Sequence, residues 1–200
     1  MAFLNAFFSA ALDNNLVFAQ LMGMLSVLLI AKRPQDAVRF GGLLALVALV
    51  AGLLGSGLYA GLLQPWGVAY LAPIAYVALD FAAALVVATI ASRGASHDER
   101  AHALRFAGLL GVSSAVMGVS LASGAAVDAA TATFESGLGT VAGSAFGVFL
   151  AVVLYAYVRD RIDDRLVPAA MRGLPIALVT ASLMALAFTG VAGIASGMFA

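Results

Sequence analysis

The chain has 200 residues, of which 64% are hydrophobic and 10% are charged, and its ten basic and ten acidic residues cancel. Globular domains average about 45–50% apolar and roughly 25% charged residues, so this chain has too little polar surface to cover a water-soluble core. The zero net charge gives no footprint for nucleic acid, and without cysteine the chain supplies neither disulfides nor thiolate metal ligands. Lipid is therefore the expected solvent for most of the sequence, and the first residues lack the positive charge of a cleavable signal peptide.

Six apolar segments are long enough to cross a bilayer core of ~30 Å, which takes about 20 helical residues. The first ends at residue 30, but its start is unclear because Asp-Asn-Asn at residues 13–15 interrupts it. The fourth follows Arg105 and fades into small residues after Ala122. The other four predicted spans are residues 40–63, 68–91, 137–158 and 174–198. We predict an all-α integral membrane protein in which residues 1–200 form a single six-helix transmembrane domain.

The basic residues all fall in alternate connections, after spans one, three and five: Lys32, Arg33, Arg39, Arg93, Arg100, Arg105, Arg159, Arg161, Arg165 and Arg172. The two remaining connections contain none, and the second of them carries Asp128 and Glu135. By the positive-inside rule the basic loops are cytoplasmic, which puts both termini outside. The pattern predicts a multi-pass protein of a bacterial or archaeal cytoplasmic (inner) membrane.

The two halves, approximately residues 1–93 and 100–200, show a weak internal similarity. Pro-Ile-Ala opens the third span at residues 73–75 and the sixth span at residues 175–177. Three spans per half give the halves opposite orientations, which is the 3+3 inverted repeat common in transporters. A proline at the first helical position also explains the match, because proline is favoured there in any helix.

Glycine recurs at every fourth position in span five, at Gly139, Gly143 and Gly147. Such a stripe of small residues lets two helices approach closely in a membrane. It predicts close packing inside the bundle or, alternatively, a contact face for another subunit.

Asp80 lies near the middle of span three, where a charged side chain costs at least ~2.5 kcal/mol on insertion scales. It is either a structural residue that hydrogen-bonds a neighbouring helix, or a relay for a cation or a proton. Asp13, Asn14 and Asn15 either cap span one at the outer surface or mark a discontinuous helix whose broken end lines a site within the membrane. Ser113 belongs to a second polar, glycine-flanked patch in span four.

These residues (Asp80, Asp13, Asn14, Asn15 and Ser113) form the candidate ion or proton pathway. No nucleophile–base pair, phosphate-binding loop or metal-spaced ligand cluster is visible, so the sequence predicts no catalytic residues and no self-contained enzyme.

The C-terminal third carries a family resemblance. Residues 158–162 (Val-Arg-Asp-Arg-Ile), 167–173 (Val-Pro-Ala-Ala-Met-Arg-Gly) and 176–181 (Ile-Ala-Leu-Val-Thr-Ala) resemble the Rnf/Nqr membrane subunits. Residues 14–17 and 114–119 resemble the first and fourth helices of the same family. The six spans and outside termini match the A subunit of Rnf and the equivalent E subunit of Nqr.

The resemblance implies a component of a redox-driven ion pump, in which two inverted-repeat subunits each give two cysteines to an intramembrane [2Fe–2S] cluster. The positions matching those cysteines are Leu25 and Ser114 in this chain, and leucine cannot ligate iron. The resemblance therefore implies that this chain binds no [2Fe–2S] cluster by itself. A family glutamate late in span three is also replaced, by Ala88, whereas Asp80 stands where the family is apolar.

Two functions remain open at this point. The chain is either a divergent subunit of an electron-transfer and ion-translocating complex, at most a non-catalytic part of an oxidoreductase, or a small inverted-repeat transporter without a redox role. The first predicts a homologous membrane subunit, together with other subunits of the complex, as partners, and the second predicts an identical chain. An assembly factor without transport of its own is a third possibility.

Overall fold

The computed structural model describes residues 1–24, 27–28, 34–93, 107–129, 133–163 and 165–191, without the side chain of Asp36. Within these ranges the chain is helical and contains no strand. The helices are α1 (Ala2–Phe8), α2 (Pro34–Leu58), α3 (Ala72–Ala91), α4 (Ser114–Asp128), α5 (Phe134–Asp160) and α6 (Leu174–Val191). A π-helical turn extends α1 through Ser9–Asp13, and another extends α2 through Tyr59–Leu63.

Four helical segments in the described ranges are long and apolar enough to cross a membrane: Ala37–Leu63, Ala69–Ala91, Phe134–Asp160 and Leu174–Val191. They coincide with predicted spans two, three, five and six, which confirms these four as apolar helices. Residues 192–198 of the sixth span lie outside the described part of the chain.

Predicted spans one and four have a different form. Span one begins with a short apolar helix, Ala2–Asp13, and its predicted end at residues 29–30 lies outside the described residues. Span four contains the helix Ser114–Asp128, so the prediction that it fades after Ala122 was wrong. The small residues Ser123 and Gly124 are buried in the bundle, and this packing keeps the segment helical despite its modest helix propensity.

Contacts at glycines define the directions of the helices around α2. Gly41 lies against Val152, and Gly52 lies against Val141, so α2 and α5 are antiparallel. Gly52 also touches Val119, and the next turn of α2 meets the next turn of α4, so these two helices are parallel. The most buried aliphatic residues of the core come from these same helices: Leu44, Val47, Val116, Val119, Val141, Val148 and Val152.

The remaining helices follow from side-chain contacts. Asp80 of α3 bonds to Ser120 of α4, and Tyr76 lies against Gly124, so α3 and α4 are antiparallel. The hydroxyl of Tyr155, near the end of α5, donates to the carbonyl of Ala177 near the start of α6 at 3.3 Å. These directions bring the start of α2, the end of α3, the end of α5 and the start of α6 to one end of the bundle. The described arginines all belong to that end: Arg39, Arg93, Arg159, Arg161, Arg165 and Arg172.

Candidate functional site: two broken helices and a buried carboxyl

The first helix is discontinuous. Its π-helical turn ends at Asp13, Asn14 has a non-helical backbone (φ −107°, ψ 42°), and residues 15–23 run through irregular turns. Leu21 and Gly23 have positive φ angles of 59° and 75°, which no continuous helix contains. Of the two interpretations of the Asp-Asn-Asn segment, the structure therefore has the broken helix.

The side chain of Asn15 holds this irregular backbone in place. Its Nδ2 donates to the carbonyls of Ala11 at 2.9 Å and Gly147 at 3.0 Å. Its Oδ1 accepts the amide hydrogens of Val17 at 3.0 Å and Phe18 at 3.1 Å. These four bonds use the full capacity of the amide, and Asn15 has 0% exposure. A polar residue deep in the bundle thus satisfies backbone groups that a regular helix would have paired.

A second break lies at the start of α4. Residues 107–111 form a helical turn, and Ser113 then adopts an extended conformation (φ −66°, ψ 127°) as the N-cap of α4. The Oγ of Ser113 accepts the amide hydrogen of Ala115 at 3.4 Å. The serine patch that marked this position in the sequence is thus the cap of a helix that begins inside the bundle.

The two breaks contact each other. The amide of Gly23 donates to the Oγ of Ser114 at 2.8 Å. A Cβ at Gly23 would lie 2.5 Å from the Cβ of Ala115, so only glycine fits this approach. The irregular segments of the first and fourth spans are therefore joined across the bundle by a hydrogen bond and a close backbone contact.

A cavity of about 530 Å³ lies between α1, the first break, α4 and α5. Its apolar wall includes Leu16, Met22 and Leu121, while several polar side chains also face it. The polar lining residues are Ser9, Asn14, Gln20, Thr140 and Ser144. The broken end of the first helix thus lines a cavity, and Asn14 is the member of the candidate pathway that reaches it.

Asp80, on α3, packs against a different face of α4 from the one that lines the cavity. It is 1% exposed, and its Oδ1 accepts a hydrogen bond from Ser120 Oγ at 2.6 Å. Its Oδ2 is fully buried and has no hydrogen-bond partner among the described residues. Asp80 therefore bonds to Ser120, whereas the side chains of Asn15 and Ser113 bond to backbone atoms elsewhere. The structure does not bring these three residues together.

Sequence reasoning missed the polar residues around Asp80. Ser120 and Ser123 lie three residues apart on one face of α4, a spacing that could have revealed them. Ser123 Oγ donates to the carbonyl of Ser120 at 2.7 Å. Asp128 accepts a hydrogen bond from the hydroxyl of Tyr59, at the far end of α2.

The residues at the two positions that the resemblance matches to cluster cysteines do not fit an iron–sulfur cluster. Ser114 offers an oxygen that already accepts the Gly23 amide, and Leu25, whose structure lies outside the described residues, has no donor atom. Clusters of this kind are held by thiolates, in some cases with imidazole, and the chain has no cysteine. In the described ranges, no group of three His, Asp or Glu residues is placed so that it could hold a metal ion either.

The fold and the site together define a class, the multi-pass helical membrane proteins in which irregular backbone is buried between helices. A family described as "Rnf-Nqr subunit, membrane protein" matches residues 3–195 of this chain. The chain belongs to that family.

Several relatives are similar over nearly their whole length. The A subunit of the Na⁺-translocating ferredoxin:NAD⁺ oxidoreductase complex of Acetobacterium woodii is 31% identical over 94% of this chain and 96% of its own length. The A subunits of the ion-translocating oxidoreductase complexes of Syntrophotalea carbinolica and Alcanivorax borkumensis are 31% and 32% identical, over 94% and 93% of this chain and 95% and 94% of their own lengths. The resemblance inferred from short motifs is thereby confirmed.

Proposed function

We propose that this chain is a divergent integral membrane subunit of an ion-translocating oxidoreductase complex. The observation that carries the proposal is the match over residues 3–195, shared with relatives that are named as the A subunits of such complexes. The similarity extends over at least 93% of the chain for three of these relatives, so it covers the helices and both breaks together. The partners would be a homologous membrane subunit together with the other subunits of the complex.

The chain contributes no ligand to a [2Fe–2S] cluster in this proposal. Leu25 carries no donor atom, and the Ser114 hydroxyl is committed to the amide of Gly23. A subunit of this kind retains the scaffold of the family, and the electrons pass through other subunits of the complex.

The proposal includes a 3+3 inverted repeat with the arginine-rich end of the bundle in the cytoplasm and both termini outside. The helix breaks support the repeat, because they lie in the first span of each half, at residues 14–23 and 112–113. The common end of the described arginines supports the orientation by the positive-inside rule.

Asp80 is the proposed ion-coupling residue. Among the described residues one fully buried oxygen of this carboxyl has no partner, which is costly inside a membrane bundle and supports a functional role. Asn14, beside Asp13, would form an entrance at the cavity. Asn15 and Ser113 would hold the two breaks in position, since the hydrogen bonds described above join their side chains to backbone atoms.

Affinity purification from native membranes in mild detergent tests the complex. We expect other subunits to co-purify with the chain, together with a visible absorption spectrum from their cofactors. A tag on an unrelated multi-pass protein of the same membrane controls for detergent aggregates. Recovery of the chain alone and colourless would contradict the proposal and favour the small-transporter alternative.

Ion-coupled activity of the same membranes tests the role of Asp80. We expect Asp80→Asn, which preserves shape and the acceptor for Ser120, to lose ion transport while the complex still assembles. Asp163→Asn, an exposed carboxyl near the arginines, is the matched control. Full retention of transport in Asp80→Asn would contradict an ion-coupling role.

A further inference from the structure

Two fully buried oxygen atoms on one face of α3 lack hydrogen-bond partners among the described residues. They are Asp80 Oδ2 and the hydroxyl of Tyr76, one helical turn apart, and both residues are 1% exposed. Nearly all buried polar atoms in proteins are paired, so two unpaired oxygens at adjacent turns require an explanation. Both face α4, where Ser120 and Gly124 lie opposite them.

A line of polar groups leads from these oxygens to the end of the bundle that lies away from the arginines. The Tyr76 hydroxyl lies against Gly124, where a Cβ would approach it to 2.5 Å. The ring of Tyr59 lies near the same glycine, 3.6 Å from that Cβ position. The Tyr59 hydroxyl bonds to Asp128, and Gln64 Nε2 donates to the other oxygen of Asp128 at 3.4 Å. Asp128 and Gln64 are exposed, so these groups extend from a buried carboxyl to the surface, although no direct hydrogen bond joins Tyr76 to Asp80 or Tyr59 among the described residues.

The surroundings of the line favour a proton over a metal cation. Ser120 Oγ donates to Asp80 Oδ1, and Ser123 Oγ donates to the Ser120 carbonyl. A hard cation such as Ca²⁺ takes several oxygen ligands, and no three His, Asp or Glu side chains of the described residues group as a metal site. A proton requires one acceptor and one donor, which the carboxylate oxygen and the hydroxyl supply.

The described ionisable side chains along this line are phenols and carboxyls, and none of them is basic. The ionisable side chains along it are Tyr59, Tyr76 and Asp128, and α4 presents Ser120 at the level of Asp80. Arg93 lies about 20 Å further along the direction of α3, at the opposite end of the bundle. Nothing basic in the described part of the line competes with Asp80 for a proton.

We propose that Asp80 is a proton-binding site that is reached from the Asp128 end of the bundle along Tyr59 and Tyr76. The proposal rests on the ion-coupling role of Asp80 and specifies both the ion and its direction of access. Each tyrosine hydroxyl donates one proton towards Asp80 and accepts one from the Asp128 side, and water bridges the longer steps. After the transfer only Asp80 has changed its protonation state. The arginine end of the bundle has no part in this access route.

The test uses native membrane vesicles sealed in either orientation and N,N′-dicyclohexylcarbodiimide, which modifies protonated carboxyl groups from the lipid. Mass spectrometry of the chain reports the label on Asp80, and Asp80→Asn should lose it.

We expect the labelling rate of Asp80 to fall when the pH rises in the compartment that faces Asp128. The rate should not depend on the pH of the compartment on the arginine side. Tyr76→Phe should slow this response by about tenfold, because phenylalanine lacks the hydroxyl that passes the proton to Asp80. Tyr157→Phe, an exposed tyrosine on α5, should leave it unchanged.

Three results would overturn the proposal. They are labelling that follows the pH of the arginine side, protection of Asp80 by Na⁺ but not by choline, and an unchanged response in Tyr76→Phe. Because the label is read on this chain itself, the result is independent of whether other subunits co-purify, which tests the proposed complex separately.

Discussion

At the scale of single residues, Asn15 explains how the first span can be broken without leaving buried polar groups unpaired. A buried peptide group without a partner costs about 1–3 kcal/mol, so a chain leaves a helix inside a bundle only where something replaces the lost bonds. Asn15 replaces three of them, at the Ala11 carbonyl and the Val17 and Phe18 amides, and its fourth bond joins the segment to Gly147 of α5. The adjacent Asn14 is exposed and lines the cavity instead, so neighbouring identical residues have different roles.

We expect Asn15→Asp to destabilise the protein by about 2–4 kcal/mol, because both donors are lost and a carboxylate oxygen then faces the Ala11 and Gly147 carbonyls. Asn14→Asp is the matched control and should change stability little. Thermal aggregation of fluorescently tagged variants in detergent measures both. Equal stability of the two variants would show that the Asn15 bonds do not hold the break.

At the scale of secondary-structure elements, the glycine stripe of α5 is a packing surface for α1. Gly139 lies against Phe3, Gly143 against Phe7 and Gly147 against Ala11, so the two helices run parallel with their backbones in contact. Of the two predictions made for the stripe, close packing within the bundle is confirmed. Seven-residue α1 has little stability of its own, and this contact supplies what local propensity cannot.

A methyl group on the stripe should separate the two helices. Gly143→Ala would place its Cβ onto the Phe7 carbonyl, which is backbone and cannot move aside, so we expect a loss of about 1–3 kcal/mol. Gly137→Ala, in the same helix but with open space around it, should be neutral or stabilise by up to ~1 kcal/mol. The same thermal assay compares them, and equal stability of Gly143→Ala and Gly137→Ala would show that the close contact with Phe7 does not govern the stripe.

The junction of the two broken segments gives a second test at this scale. Gly23 and Gly67 both have positive φ (75° and 69°), so alanine should strain each backbone by about 1–2 kcal/mol. Only at Gly23 would the new Cβ also collide with Ala115, which we expect to add about 1–3 kcal/mol. A similar loss of stability in Gly23→Ala and Gly67→Ala would argue against a tight junction.

At the scale of the whole molecule, the helix directions collect the described arginines at one end and the connection 64–68 at the other. This arrangement places charge where water or lipid headgroups can solvate it and leaves the long apolar faces to lipid. Trp66 (73% exposed) marks one end of the bundle and Leu166 (85% exposed) the other.

The orientation can be tested directly because the chain has no cysteine of its own. A membrane-impermeant maleimide added to intact cells should label Trp66→Cys, on the side proposed to be outside. Leu166→Cys should be labelled only after permeabilisation, because its loop contains arginines and should be cytoplasmic. The cysteine-free parent is the control, and the reverse pattern would invert the topology.

Much of this protein follows from local features of its sequence. The length and apolar character of α2, α3, α5 and α6 predict membrane-spanning helices, and the arginines that follow α3 and α5 predict where those two helices end. The Asp-Asn-Asn segment and the Ser113–Ser114 pair indicated polar interruptions, because such side chains bond nearby backbone wherever they occur. Short motifs identified the family because they are also local: each depends only on the identities of a few consecutive residues.

The tertiary structure alone decided which of these features meet. Asn15 bonds to a carbonyl 132 residues away, and Asp80 bonds to a serine 40 residues away. Such pairings depend on the directions and rotations of whole helices, which no local propensity records. The same cause extended α4 to Asp128, where burial of small residues against α2 and α3 outweighs their weak preference for helix. Composition and charge spacing determined that this chain is a helical membrane protein, and packing between distant helices determined what surrounds Asp80.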